Sequence, residues 1–217
     1  MAGCESDERG QVTDPAFRAM LEELAASGLE TSDFGVFTTL RPTAFDHARA
    51  VPILLRWLPR LRDPIEKERV VRHLTGEQEA ERQGAAGVLI DEFVRNEDPR
   101  LKWAIGNALA TLATADDAEA LIELLEDSRH GTARKMLCDA LKRTKDPRAP
   151  QVLVGLVDDA QIGGHAILAL RLYGPRTSLP HLFSAESKLL EVVESENHSE
   201  FTHRQARKAL ERLEREP

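Results

Sequence analysis

The side chains of this protein that could act in catalysis or bind a metal ion include seven histidines and two cysteines. A metal site needs histidines, cysteines or carboxylates gathered at ligand spacing. The sequence contains no His-Glu dipeptide, and the histidines on expected second helices share no pattern of acids; these are His73, His165 and His203. We interpret them as surface or interface histidines and predict no metal ion and no other cofactor.

The remaining candidate groups also favour structural roles. Cys4 lies in a polar segment, and Cys138 falls at an expected core position, where cysteine acts as a small hydrophobic residue. No strand precedes Gly163 and Gly164, as a phosphate-binding loop would require, so the pair is expected to let two helices approach closely. Because no nucleophile, base and oxyanion donors come together, the sequence predicts a protein that is not an enzyme.

The charge of the chain is unevenly distributed. Its formal net charge is -8, and residues 1–42 hold eight acids against three arginines, a balance of -5. Two stretches are basic instead, with six bases and three acids in residues 56–72 and six bases and two acids in residues 134–148. A general nucleic-acid binder is usually basic over its whole domain, so nucleic acid is an unlikely partner.

The sequence carries no signal for a membrane or for export. No apolar run approaches the roughly 20 residues that cross a bilayer. The first ten residues, MAGCESDERG, lack the charged and apolar regions of a signal peptide. We therefore expect a soluble, cytoplasmic protein that does not contact membranes.

Five related segments recur along the chain, and each ends in a leucine. They are VVRHL (70–74), IGNAL (105–109), LCDAL (137–141), AILAL (166–170) and ARKAL (206–210). The final leucines are 35, 32, 29 and 40 residues apart, which suits a repeated helix–turn–helix unit. In each segment the final leucine and the residue four earlier share one helical face, which we expect to pack inward.

First helices are expected ahead of these segments, at residues 47–58, 117–127 and 148–159. Asp-Pro pairs mark helix starts, with aspartate as the N-cap and proline as the first helical residue. Such pairs occur at 14/15, 63/64, 98/99 and 146/147. Asp63 and Glu66 have the spacing of a capping box.

An additional helix is predicted after Asp14, ahead of the repeats. Its apolar side chains Phe17, Met20, Leu21 and Leu24 share one side, and Gly28 is expected to end it. We expect this helix to pack on the first repeat. The predicted division of the chain is a disordered tail at 1–12, a capping helix and loop at 13–42, and a repeat domain at 43–217.

The stretch DPRLKWAIGNALATLA (98–113), followed by DDAEALIELLED (116–127), resembles the HEAT-like repeat of phycobilisome lyases and many bacterial proteins. The resemblance covers residues 44–173 and, more loosely, 177–213. It implies an all-α fold, namely a right-handed α-solenoid of about five HEAT-like helix pairs with an N-terminal capping helix. Such repeats bury their apolar faces only by stacking.

A row of exposed residues on the second helices is the candidate binding site. It is found two and six residues before each final leucine and consists of Glu68, Arg72, Trp103, Asn107, Lys135, Asp139, Gly164, Leu168, Arg204 and Lys208. The members of each pair are neighbours on one helical face because they are spaced i, i+4. The resemblance implies that the row lies in the concave groove, which second helices line. The first six residues are the predicted site.

Two interpretations of this row remain open. The ring of Trp103 either packs over Met136 or another residue of the next unit, or it anchors a partner. Lys135 with Asp139 forms either a simple salt bridge or part of the binding surface. We predict a non-enzymatic scaffold whose groove binds a segment of a protein or peptide partner. The alternatives are nucleic-acid binding in the groove, as in HEAT-like DNA glycosylases, and a lyase-like enzyme.

Overall fold

A computed structural model describes residues 14–29, 31, 46–173 and 175–215. Within these residues the regular structure is entirely helical, without a strand, which confirms the all-α prediction. None of the described helices combines the length and the apolar character that a bilayer crossing needs. The predicted tail at 1–12 and most of the loop between Glu30 and Asp46 lie outside the described residues.

The described helices form a capping helix followed by five successive units. The cap is α1 (Pro15–Ala26), and the units are α2 (His47–Trp57) with α3 (Pro64–Leu74), α4 (Gln78–Arg82) and α5 (Ala85–Arg95) with α6 (Pro99–Leu112), α7 (Ala118–Glu126) with α8 (Leu137–Thr144), α9 (Ala149–Gly155) with α10 (Gly163–Arg171), and α11 (Pro175–Ser184) and α12 (Glu186–Glu194) with α13 (Glu200–Arg215). Short 3-10 helices occupy Leu58–Arg60, Ala115–Asp117 and Ser128–Met136.

The units stack so that their last helices form one continuous layer. Each of α3, α6, α8, α10 and α13 contacts the next in this order. The core lies between this layer and the preceding helices of the units. Four of the five final leucines are completely buried, namely Leu74, Leu109, Leu141 and Leu170. The residues four positions before the final leucines are completely buried in all five units. The predicted inward face of the repeat is therefore confirmed, and the chain is an α-solenoid.

Three of the four predicted Asp-Pro helix starts are confirmed. The carboxylates of Asp14, Asp63 and Asp98 accept hydrogen bonds from the backbone N–H groups at the start of α1, α3 and α6. The fourth prediction was wrong, because Asp146 accepts from the N–H of Arg148 in a turn and α9 begins only at Ala149.

The predicted capping box of Asp63 and Glu66 was also wrong. The Asp63 carboxylate accepts from the N–H of Ile65 rather than from that of Glu66, and the Glu66 carboxylate accepts a hydrogen bond from the backbone N–H of Asp14. It is 3% exposed, and burial raises its pKa. Glu66 therefore joins α3 to the start of α1 instead of capping α3.

Helix α1 packs on the first unit, as predicted. Phe17, Met20 and Leu24 are fully buried, and Gly28 takes a positive φ of 76° at the end of the helix. Glu23 of α1 accepts a hydrogen bond from the indole N–H of Trp57 at 2.8 Å and forms an ion pair with Arg56. The Asp14 carboxylate accepts from the backbone N–H of Arg62 at 2.7 Å. Apolar and polar contacts together hold α1 against the first unit.

Candidate functional site

A surface depression of about 650 Å³ lies between α3 and α6. Its lining consists of Ile65, Glu68, Arg72, Pro99, Arg100 and Trp103, and we call it the Trp103 depression. Ile65 and Trp103 are large apolar side chains that are 52% and 49% exposed. The structure thus brings together three of the predicted site residues, from two neighbouring units.

The position of Trp103 bears on its two interpretations. Its ring is half exposed and lines the depression beside α3, which belongs to the preceding unit. Met136 of the next unit packs against the backbone at Gly106, where an added Cβ would lie 2.9 Å from the Met136 Cβ. These observations favour a surface role for Trp103 over a role in joining units.

Polar side chains border the exposed apolar pair. The Glu68 carboxylate accepts two hydrogen bonds from Arg72, at 3.0 Å and 2.5 Å, and the Glu68 side chain is only 12% exposed. Asn107 donates from Nδ2 to the backbone oxygen of Trp103 at 2.9 Å. The polar groups therefore have partners within the protein, whereas much of the apolar surface of Ile65 and Trp103 remains in water.

Lys135 and Asp139, for which a simple salt bridge was one of two open interpretations, form no ion pair with each other in the described structure. Lys135 does not lie on α8 but in the preceding 3-10 helix, whose course is interrupted at Gly131. The reason is Arg134, which is 2% exposed and donates hydrogen bonds to the backbone oxygens of Leu125 and Gly131. Asp139 instead accepts a hydrogen bond from Lys142 at 2.7 Å.

A second depression, of about 1060 Å³, lies at the carboxyl ends of α8 and α10. We call it the Lys145 depression, and its lining includes Asp139, Lys142, Arg143, Lys145, Leu172 and Tyr173. Arg143 pairs with Glu81 at 2.8 Å, and Lys142 pairs with Asp139. Lys145 is exposed and has no ion pair with any residue that the structure describes. Asp139 is the predicted site residue that this depression contains.

The row is interrupted in the fourth unit. Gly164 is buried, and a Cβ added there would lie 2.7 Å from the ring of Phe201 and 2.8 Å from the hydroxyl of Thr202, both on α13. A Cβ at Gly163 would lie 2.5 Å from the backbone oxygen of Val157. The predicted close approach at this glycine pair is confirmed, and Gly164 is not part of an exposed surface.

The groups considered for chemistry take structural positions. Cys138 is completely buried, and burial raises the pKa of its thiol strongly, which disfavours the thiolate that nucleophilic attack requires. The ring of His165 lies 5.0 Å from that of Phe201, and Nε2 of His203 lies 2.8 Å from the backbone oxygen of Ser195. Among the residues described, no three His, Cys, Asp or Glu side chains gather where they could hold a metal ion.

Sequence reasoning missed several lining residues that belong to the same helical stripes. Ile65 lies three residues before Glu68, and Pro99 lies four residues before Trp103. Extending the row by one turn towards the start of each helix would have found both. Lys145 has a weaker signal, because it follows α8 and lies outside the repeated segment.

Comparison with known proteins identifies one family. Residues 86–171 match the family model for HEAT repeats. The matched region covers α5 except its first residue and the whole of α6 to α10, and thus includes Trp103 and Lys145. No curated protein and no solved structure gives a significant match to the chain.

Proposed function

Because this chain is a HEAT-repeat protein, we propose that it is a non-catalytic module that binds a segment of a protein partner across its layer of second helices. HEAT repeats generally serve as scaffolds for protein interactions, using the extended surface of the stack. The observation that carries the proposal is the exposed apolar pair of Ile65 and Trp103 in the Trp103 depression.

The composition of this depression suits an anchor residue of a partner. Binding hot spots are enriched in tryptophan and arginine and combine a central apolar contact with a polar rim. Ile65 and Trp103 supply the apolar contact, while Arg72 and Arg100 lie beside it. The volume of about 650 Å³ is sufficient for a large side chain and part of its backbone.

The arrangement of the layers supports the same surface. The second helices contact one another more extensively than the first helices do. On a curved stack the inner layer is the more crowded one, so this difference is expected if the second helices form the concave side. A concave surface can enclose an extended partner segment from several units at once.

Nucleic-acid binding is the less favoured alternative, because most bases of the 134–148 stretch already have carboxylate partners. The phosphate backbone of a nucleic acid is bound by cationic side chains, which release the counterions condensed on it. Four of the six bases in this stretch pair within the chain, namely Arg134 with Asp159, Lys142 with Asp139, Arg143 with Glu81, and Arg148 with Asp146 and Glu119.

A random peptide library displayed on phage tests the proposal. Peptides are selected on the immobilised full chain and then synthesised with a fluorescent label, and their Kd is measured by fluorescence polarisation. We expect peptides that bind the wild type and lose at least tenfold in affinity for Trp103→Ala, since a buried aromatic anchor contributes about 2 kcal/mol or more to binding.

Leu190→Ala serves as the matched control. Leu190 is 48% exposed, nearly as much as Trp103, but it lies on α12, outside both depressions. Its removal should leave the Kd unchanged. Selected peptides that bind Trp103→Ala as tightly as the wild type would place the binding surface elsewhere. A library that yields no peptide above background would contradict peptide binding altogether.

A further inference from the structure

We infer that the partner segment is acidic, and that it extends from the Trp103 depression to the Lys145 depression along one stripe of α6. This inference rests on the proposed function and specifies its ligand. An apolar side chain of the segment fills the first depression, and one or more aspartates or glutamates face the second.

The two depressions are connected by residues of a single helix. Trp103 lines the first depression and Ala110 lines the second, and Asn107 lies between them on α6. The spacing i, i+4, i+7 places all three on one face. Seven residues of α-helix rise about 10 Å, which about three residues of an extended peptide cover. A short segment can therefore reach both depressions.

The charge of the Lys145 depression selects the chemistry of that segment. Its lining contains three cationic side chains, Lys142, Arg143 and Lys145, and one carboxylate, Asp139. Lys142 and Arg143 each have a carboxylate partner, whereas Lys145 has none among the described residues. A carboxylate from outside the chain would complete this set, so the depression is electrostatically complementary to an acidic peptide.

The backbone at Lys145 supports a role for its side chain. Lys145 follows α8 with a φ of 56°, in the left-handed region where helix ends strongly favour glycine. Glycine would remove the steric cost of this conformation, yet the position carries a long cationic side chain. A cation near a helix carboxyl end also favours the helix dipole, so stability and binding must be measured separately.

The same backbone feature provides a variant that separates the two roles. Lys145→Gly removes the cation at a position whose conformation suits glycine, so the fold should be retained or stabilised. Any loss of binding in this variant cannot then be attributed to unfolding. Arg207→Gln, on α13 and outside the row and both depressions, removes another exposed cation and serves as the control.

The probes are synthetic peptides with one leucine or phenylalanine and two glutamates placed three to five residues away, on either side, and matched peptides with glutamine in place of glutamate. Binding is measured by fluorescence polarisation with the full chain, at low and at physiological salt. We expect the glutamate peptide of the best pair to bind wild type about fivefold to tenfold tighter than its glutamine match at low salt, with a smaller ratio at higher salt.

The variants distinguish failure of this inference from failure of the proposed function. Lys145→Gly should bring the glutamate peptide to the affinity of its glutamine match, Arg207→Gln should not, and Trp103→Ala should weaken both peptides. Equal affinity of the two peptides for wild type, with Trp103 still required, would overturn the acidic preference and keep the proposed function. Binding that does not require Trp103 would overturn both. Tighter binding of a single-stranded oligonucleotide than of any peptide, if it requires Lys145, would overturn the inference in favour of a nucleic acid.

Discussion

The ammonium group of Lys67 donates a hydrogen bond to the carboxylate of Glu92, and both side chains are buried, at 8% and 1% exposure. Lys67 lies on α3 of the first unit and Glu92 on α5 of the second. Asn96 also donates to this carboxylate, at 3.0 Å. Two neighbouring units are thus joined by a buried ion pair as well as by apolar contacts.

Removing one partner of this pair should cost more than removing both. Glu92→Leu leaves the Lys67 ammonium buried without a counter-charge, and such a loss costs about 3 to 5 kcal/mol. The double variant Lys67→Met with Glu92→Leu should recover a large part of the stability that Glu92→Leu loses, because apolar side chains of similar size suit the site. Urea unfolding of the two single variants and the double variant measures this. Costs that simply add would show that the two charges are not coupled.

Trp103 and Phe93 should differ in their contributions to stability. Phe93 is completely buried, and Phe93→Ala should cost about 3 to 5 kcal/mol, whereas Trp103→Ala should stay within about 1 kcal/mol because half of the ring is in water. Urea denaturation curves of both variants test the difference. If Trp103→Ala loses several kcal/mol, the ring supports the stack and the proposed binding surface has no anchor.

Gly164 should resist substitution, while Gly155 should accept it. A Cβ at Gly164 would lie 2.7 Å from the Phe201 ring, whereas nothing lies within 4 Å of a Cβ at Gly155. We expect Gly164→Ala to cost about 1 to 3 kcal/mol by forcing α10 and α13 apart. Gly155→Ala, in α9, should be neutral or stabilise by up to about 1 kcal/mol. Thermal unfolding compares them, and equal melting temperatures would refute the close approach.

His165 should make stability depend on pH near neutrality. Burial lowers its pKa, Lys135 lowers it further, and Asp139 opposes this. In the unfolded chain the pKa of a histidine is about 6.5. The contribution of neutral His165 to stability is therefore fully present above that pH. It is lost as the pH falls towards the lower pKa of the folded state, because the unfolded chain then binds more protons than the folded one. The free energy of unfolding should decrease between pH 7.5 and 5.5, and less so in His165→Gln.

His130 provides a second test of the same effect. Its pKa is also lowered, mainly by burial and then by Lys102, whose Nζ lies 3.2 Å from Nδ1 of the ring. His130→Gln should therefore remove another part of the decrease, and the double variant should show the weakest dependence. A profile unchanged in both single variants would contradict the assignment of this pH dependence to buried histidines.

The fold was predictable where local pattern and burial agree. The final leucines, such as Leu109, and the residues four earlier, such as Ile105, are apolar in the sequence and buried in the structure. The segment before α8 was not predictable, because Arg134 determines its course through hydrogen bonds to Leu125 and to Asp159, 25 residues away. A single sequence gives no local signal for such contacts.

The candidate site was predictable only in part, for a related reason. The helical stripe placed Trp103 on the surface of α6, but the depression beside it also needs Ile65 from another unit. The depression around Lys145 also depends on residues distant in sequence. Tyr173, just after α10, and His181, on α11, both line it. Residues on one helix can be related by spacing, whereas a depression depends on how units are placed against each other.

Helix α1 covers apolar surface of the first unit that would otherwise be exposed. The second unit covers one apolar side of the first unit, and α1 covers another side of it through Phe17, Met20 and Leu24. An uncovered side could receive the last unit of another copy, and head-to-tail contacts of this kind extend into filaments when they do not close. Because α1 fills that position, with Glu23 bound to Trp57 and Asp14 to Arg62, its removal should favour such head-to-tail association.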